Sequence, residues 1–190
     1  MRNLHYLILL IDPPNQSKCF SLLESNLERF KKAHGSSHNH QNWTGGYLDH
    51  VTEVMNVAAL LHPSLSAVRT LPFSLSDTLL VLFLHDLEKP WRFDAMGSEV
   101  TNLRPKKAKH DFRLAKIKEF GIELSPFQLN GLTYVEGEGD DYRSDARVMN
   151  ELAAFCHMCD VASARIWFDF PKQNEKGFGC CFFSLHSDAG

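Results

Sequence analysis

An all-α bundle is the fold class that this sequence predicts, and three observations point to it. Apolar residues recur every three to four positions through the long segments, which is the period of a helix face. Helix-start chemistry stands where those segments begin, at Ser74 to Asp77 and at Ser125-Pro126. The length of 190 residues, with 44% hydrophobic and 23% charged, suits one globular domain with a well-buried core. The chain divides into an N-terminal segment with a first helix over 1–33, a main domain over 34–170 and a tail over 171–190.

Residues 4–11 form an apolar run cut off by Asp12-Pro13-Pro14, and they read either as a short strand or as a buried turn of helix. The run is too short to span a membrane and lacks a small-residue cleavage site, so no signal peptide is expected. Ser17 to Lys32 predicts an amphipathic helix, with Phe20, Leu23, Leu27 and Phe30 at helical spacing. From His34 to Gly46 the chain is polar and rich in Gly and Ser, a loop. Thr44 is the expected N-cap of the next helix, which Pro63 ends. Its inward stripe is Tyr47, Val51, Val54, Ala58 and Leu61, and His50 projects on the same side.

Residues 63–76 connect to a helix that the Ser74–Asp77 capping box starts and Pro90 closes. Further helices are expected over about 107–120, with Gly121 just past the end, and from Pro126 to about Val135. His110, Leu114 and Ile117 share one face of the first of these. A polar loop from Glu136 to Asp145 leads to a last long helix over 146–168. Its stripe of Met149, Ala153, Cys156, Asp160, Ala164 and Trp167 sets a carboxylate in an apolar face. The tail is expected to dock on the bundle through GCCFFSL.

Net charge is -3, which argues against a general nucleic-acid or membrane-surface binder. Five cysteines, at 19, 156, 159, 180 and 181, include one C-x-x-C inside a helical pattern. Cys156 and Cys159 read as small buried hydrophobes rather than as a zinc or redox pair, and a reducing compartment, the cytoplasm, follows.

Chemistry concentrates where six apolar residues, Leu79 to Leu84, run into His85-Asp86. A buried carboxylate needs a cation, because removing it unpaired from water costs several kcal/mol. An adjacent imidazole, a ligand when neutral, suggests that the cation is a divalent metal. Three segments thus offer metal-type ligands from buried sides: His50, His85 with Asp86, and Asp160. Two imidazoles and two carboxylates suit Mn, Fe, Co, Ni, Zn or Mg, with positions left for water and a phosphate oxygen. Such a metal would lower the pKa of its water and polarise phosphorus. No Ser-His-Asp arrangement, Walker lysine loop or dinucleotide glycine loop competes.

In these segments the chain resembles the HD-domain metal-dependent phosphohydrolases, whose ligand pattern is H…HD…D on a helical bundle. The stretch HQNWTGGYLDH, His40 to His50, is similar to the H-x-x-x-x-G-G-L-L-E-H segment of several members. LHDLEK is similar to LHDxGK, and HMCDVASAR to H-x-A-D. The resemblance covers about residues 34–168 and implies one divalent ion on His50, His85, Asp86 and Asp160. It also implies a phosphate-facing Lys89, whose bland alternative is a solvated lysine at a helix end. Asp86, Lys89 and His110 are the expected catalytic residues, His110 as a phosphate contact or general acid. His40, Trp43, Lys89 and Arg143 are expected on the substrate. His40 and His157 read equally as structural or functional, and Trp43, Trp91 and Phe93 as base-stacking or core. Glu88 replaces the family's Gly, and Glu136 and Glu138 stand where two-metal members carry a His pair.

The expected activity is hydrolysis of a phosphoester or phosphoanhydride in a small phosphorylated, nucleotide-type substrate, with no membrane partner. A nucleotidase, a triphosphohydrolase and a phosphodiesterase all fit. The alternative is a nucleotide-sensing or partner-binding module with little turnover, which the departures at Glu88 and in EGEGDD motivate. Nucleic-acid processing ranks third, kept open by the basic stretch at Lys106, Lys107 and Lys109.

Overall fold

Every side chain from Thr78 to Leu84 is buried, so the helix Leu75–Leu84 (α5) runs through the middle of the molecule rather than along its surface. The computed structural model describes residues 1–36, 40–92, 98 and 101–167. Around α5 lie, in chain order, α1 (Leu4–Leu9), α2 (Asn15–Ser25), α3 (Leu27–Phe30), α4 (Gly46–Val68), α6 (Lys89–Arg92), α7 (Lys106–Glu119), α8 (Pro126–Tyr134) and α9 (Glu151–Ile166). Regular structure among the described residues is helical, as the periodicity predicts. No described helix is long and apolar enough to cross a membrane.

The packing order places the site. His62 meets Phe73 across the α4–α5 connection and Phe155 near the start of α9. At the other end of α4, His50 meets His85 just past α5 and Ser163 late in α9. Helix α4 therefore runs antiparallel to both α5 and α9, and His50, His85 and Asp160 gather at one end of the bundle. Helix α8 packs on α5 and α9. Helix α1 packs on α4 and α5, its Leu4, Leu7 and Ile8 buried, so the N-terminal segment belongs to the same core. Truncating a fully buried member such as Leu82 to Ala is expected to cost about 2–5 kcal/mol.

Several boundaries differ from those that local sequence predicts. Residues 4–9 are helix and not strand, because the Asn3 side chain accepts from Tyr6 N–H and starts a turn. The helix expected over 17–32 breaks at Asn26, whose side-chain amide donates to the Leu22 carbonyl and competes with the backbone. Thr44 is exposed and caps nothing. Gly45, at φ +86°, takes the N-cap position of α4. Pro63 does not end α4, which continues to Val68. Most of that last stretch faces solvent, where water can serve a carbonyl left without its partner. His85 caps α5 and residues 85–88 form turns, while Pro90 lies within α6 rather than ending the preceding run. Helix α9 starts at Glu151, five residues later than expected, because the Asn150 side chain accepts from Ala153 N–H and its backbone N–H is held by Asn130.

The predicted capping box forms at Ser74/Asp77, and the expected N-cap Ser125 forms a second one with Gln128. Gly121 follows α7 at φ +65°. The Glu136 to Asp145 loop carries one short 3-10 turn, Gly139–Asp141. Cys19, Cys156 and Cys159 are buried free thiols. Phe93, Cys180, Cys181 and the tail over 171–190 lie outside the described residues.

Candidate metal centre

The loop before α4 brings His50 into place by a close backbone approach. A Cβ on Gly46 would stand 2.0 Å from the Gln41 carbonyl oxygen, so only glycine lets Gln41 lie against the start of the helix. Trp43 Nε1 donates to Asp49 in the first turn at 2.8 Å, which closes the loop over the helix start. Four residues on from Gly46, His50 points inward at 1% exposure. His85 is at 0% and Asp86 at 5%.

Among the described residues, a nitrogen from each imidazole and an oxygen of Asp86 lie within 4.8 Å of one another, a spacing that could hold one metal ion. His50 Nε2 is 3.2 Å from His85 Nε2, and each is 3.3 Å from Asp86 Oδ2. Asp160 Oδ1 adds a fourth donor, 3.2 Å from His50 Nε2 and 3.8 Å from His85 Nε2. The four residues expected as ligands thus lie close, but the group with ligand atoms all within 4.8 Å of one another is His50, His85 and Asp86; Asp160, its side chain at 19% exposure, meets the two imidazoles from outside that group.

The tautomers decide what this cluster can hold. His85 Nδ1 lies 2.7 Å from the Leu82 carbonyl, which can only accept, so Nδ1 carries a proton and Nε2 is the nitrogen that offers a lone pair when the ring is neutral. His50 Nδ1 meets Ser163 Oγ at 3.2 Å, and Ser163 in turn hydrogen-bonds the carboxylate of Glu53. A serine that donates to Glu53 accepts from His50 Nδ1–H, which turns the His50 Nε2 lone pair toward His85. With both rings neutral, two lone pairs face each other at 3.2 Å beside two carboxylates and repel unless a proton or a metal cation lies among them. Fixing the outer ring nitrogen in this way is how metal-bound imidazoles are oriented.

One cation of the chain itself stands at the edge of the cluster. Lys89 Nζ is 2.5 Å from Asp86 Oδ2. Burial opposes the charge on Asp86, but Lys89 and His85 hold its carboxyl well below the usual range. Burial likewise opposes the charge on Lys89, and Asp86 keeps its pKa raised. For His85 burial is again outweighed, and Asp86 raises it to about 9. A divalent ion would therefore displace a proton on entering, which couples its affinity to pH.

Other expected residues scatter. The His40 ring is 5.0 Å from the His50 ring, and burial, His50 and Lys89 push its pKa down to about 4, so it is neutral at physiological pH. Trp43 is committed to Asp49. His110 lines a cleft of about 520 Å³ that it shares with Arg113 and the neighbouring lysines of α7. Arg143 is exposed and paired with Asp145 at 3.1 Å. His157 Nδ1 donates to the Val135 carbonyl at 2.8 Å, tying α9 to the end of α8.

Three residues around the site are invisible to motif reading. Arg113, at 4% exposure, donates through Nε to Glu88 at 2.7 Å and through Nη2 to Glu136 at 2.5 Å. Its Nη2 also lies 3.9 Å from Asp86 Oδ1. Glu88, where the family pattern has Gly, is thus the buried partner of an arginine, and the pairing explains both. The signal in the sequence is an Arg three residues after His110, at the edge of an otherwise apolar face. Ser163 and Glu53 are the other two, and their only local mark is a polar residue on an inward stripe. Tyr47 adds a buried hydroxyl with no hydrogen-bond partner among the described residues, within electrostatic reach of Asp86, Glu88 and Arg113.

Compared with protein-family models, with curated protein sequences and with solved structures, the chain has no match.

Proposed function

We propose that this protein is an HD-type, metal-dependent phosphohydrolase acting on a nucleotide-type phosphate ester or anhydride. The observation that carries the proposal is the convergence of two imidazole Nε2 lone pairs and Asp86 on one buried point, both outer ring nitrogens being hydrogen-bonded. His50, His85, Asp86 and Asp160 would hold a single divalent ion of the Mn, Fe, Co, Ni, Zn or Mg class. Such an ion supplies Lewis-acid polarisation of the phosphoryl group and a more acidic water at neutral pH.

The chain's own groups do the rest. Asp160, the least buried of the four, can orient the attacking water by accepting one of its protons. Lys89, anchored on Asp86, presents positive charge to the phosphoryl oxygens. His40 is neutral beside the centre and offers a lone pair rather than a charge to the substrate. In the overall step an oxygen of water bonds to phosphorus, the bond from phosphorus to the leaving oxygen breaks, and that oxygen takes a proton. The test is metal content of the purified protein, then phosphate release from a nucleotide panel with Mn, Co, Ni and Mg, for wild type and Asp86→Ala. Metal in the wild type and release lost in the variant are expected. Protein free of transition metal and inert across the panel overturns the proposal.

One observation favours a second reading, a nucleotide-sensing module with little turnover: Lys89 already neutralises the Asp86 oxygen that the imidazoles share. That reading predicts nucleotide binding without hydrolysis, undiminished in Asp86→Ala.

A further inference from the structure

The cleft that contains His110 borders the ligand cluster at Arg113, whose Nη2 lies 3.9 Å from Asp86 Oδ1, and runs from there along α7. It measures about 520 Å³, inside the range of roughly 300–1,000 Å³ typical of small-molecule sites. Five cationic side chains line it, Arg104, Lys106, Lys107, Lys109 and Arg113, against one carboxylate, Glu136. The cations outnumber the carboxylate in the lining, although Asp141, Asp111 and Glu88 pair with them from behind, and they stand on a chain whose net charge is -3. Composition alone argues against such an excess, so it is a local construction.

Its geometry is that of a row. Lys106, Lys109 and Arg113 follow the spacing that puts residues on one face of α7, and from Lys106 to Arg113 the helix rises about 10 Å. Arg113 closes the inner end and is fixed there, at 4% exposure, by Glu88 and Glu136. At the outer end the lysines are held loosely. Lys106 pairs with Asp141 and Lys107 with Asp111, and in both pairs about half or more of each side chain is exposed. Exposed pairs of this kind contribute little, so a ligand can exchange for the carboxylates. Lys109 pairs with Glu136. Thr133 adds a hydroxyl to the wall. His110 registers the local field: burial lowers its pKa first, and Arg113, Lys106 and Lys107 lower it further against the opposing Asp111.

From this arrangement we infer that the α7 cleft is a binding site for a linear oligophosphate, the inner phosphate at Arg113 and the outer ones along Lys109, Lys106 and Lys107. A lone tetrahedral anion engages one end of such a row, whereas a chain of phosphates engages all of it. The inference goes beyond the proposed hydrolysis and does not require it.

The test is calorimetric titration of inorganic tripolyphosphate and of orthophosphate into chelator-treated protein, so that neither turnover nor a bound metal enters the result. Tripolyphosphate is expected to bind at least tenfold more tightly than orthophosphate. Lys106→Gln/Lys107→Gln, at exposed positions that leave the core untouched, is expected to lose at least tenfold of that affinity. Lys32→Gln/Lys118→Gln, which removes two exposed charges elsewhere, is expected to lose less than twofold. Equal binding of the two anions overturns the inference, and so does equal weakening by both double variants, which marks nonspecific charge. A short single-stranded oligonucleotide that binds more tightly than tripolyphosphate, and is lost in the same cleft variant, also overturns it and assigns the cleft to nucleic acid. Because the protein is metal-free throughout, failure here leaves the hydrolysis proposal standing, and failure of hydrolysis leaves this site standing.

Discussion

Lys89 Nζ stands 2.5 Å from the Asp86 oxygen that His50 Nε2 and His85 Nε2 each approach at 3.3 Å. One carboxylate oxygen thus faces an ammonium on one side and two ring nitrogens on the other. The nitrogens cannot satisfy it without a proton or an ion between them, and the ammonium does so at once. The balance between those two solutions is the property that the first experiment reads.

Lys89→Gln is expected to remove the nearest counter-ion of Asp86, leaving His85 and the more distant Arg113, and to destabilise the metal-free protein by about 1.5–3 kcal/mol, the range for a hydrogen bond to a charged group. Adding Mn or Ni is expected to restore much of that loss, since an ion bound only by the folded state stabilises it by mass action. Urea unfolding in chelator and in metal measures both. A variant equally unstable in the two conditions would count against an ion at this centre.

Ser163→Ala and Glu53→Gln each break the hydrogen-bond chain behind His50, leaving the ligand atom in place but its ring free to turn. Metal affinity is expected to fall about 10–100-fold, as it does when outer-shell partners of ligating histidines are removed. Titration of metal into the metal-free variants gives the number directly. An unchanged affinity shows that packing alone orients the ring.

Arg113→Met is expected to cost about 3–5 kcal/mol, because Glu88, at 1% exposure, is left charged and unpaired. Arg113→Met/Glu88→Met is expected to recover most of the loss, and the double-mutant cycle measured by chemical denaturation isolates the coupling. Arg113→Lys is not expected to rescue, since Nε and Nη2 reach two different carboxylates and an ammonium has no such fork. Additive effects of the two single changes would mean that the pair is not coupled.

Asp77 anchors the start of α5 and gives a pH-dependent readout. Burial opposes its charge, but hydrogen bonds from Ser74 N–H, Ser74 Oγ and Gln128 hold its carboxyl below the ordinary range. A carboxyl depressed in the folded state binds fewer protons there than in the unfolded chain. Its contribution is therefore complete above the unfolded value of about 3.9 and disappears as pH falls through the folded value. Asp77→Asn is expected to cost about 1 kcal/mol at neutral pH, in line with the loss of a helix cap. The deficit relative to wild type should shrink as the pH drops below about 4. A deficit that stays constant on acidification removes the charge of Asp77 from the account.

The elements themselves were legible because their causes are local. Apolar spacing over a few residues marked α5 and α9, and Ser74 and Ser125 marked two starts correctly, since a cap closes on a backbone group three residues away. Boundaries failed where a side chain outcompeted the pattern, as Asn26 and Asn150 did. Asp86 and Asp160 stand out in the sequence as acids in apolar company, a cost that the local pattern reveals, and so they are legible there as candidate ligands.

The sequence by itself thus determined that the chain is helical, that acids and imidazoles are buried, and which of them demand a cation. Only the tertiary structure decided what answers that demand. Ser163 reaches His50 across 113 residues and Arg113 reaches Glu88 across 25, and at such separations the partner depends on how helices stack rather than on any neighbouring letter. The same stacking set the Arg113 guanidinium between Glu88 and Glu136 and within 3.9 Å of Asp86 Oδ1. The physical reason is range: hydrogen bonds and caps within a turn are written in adjacent residues, whereas the pairing of buried charges exists only after the core has closed around them.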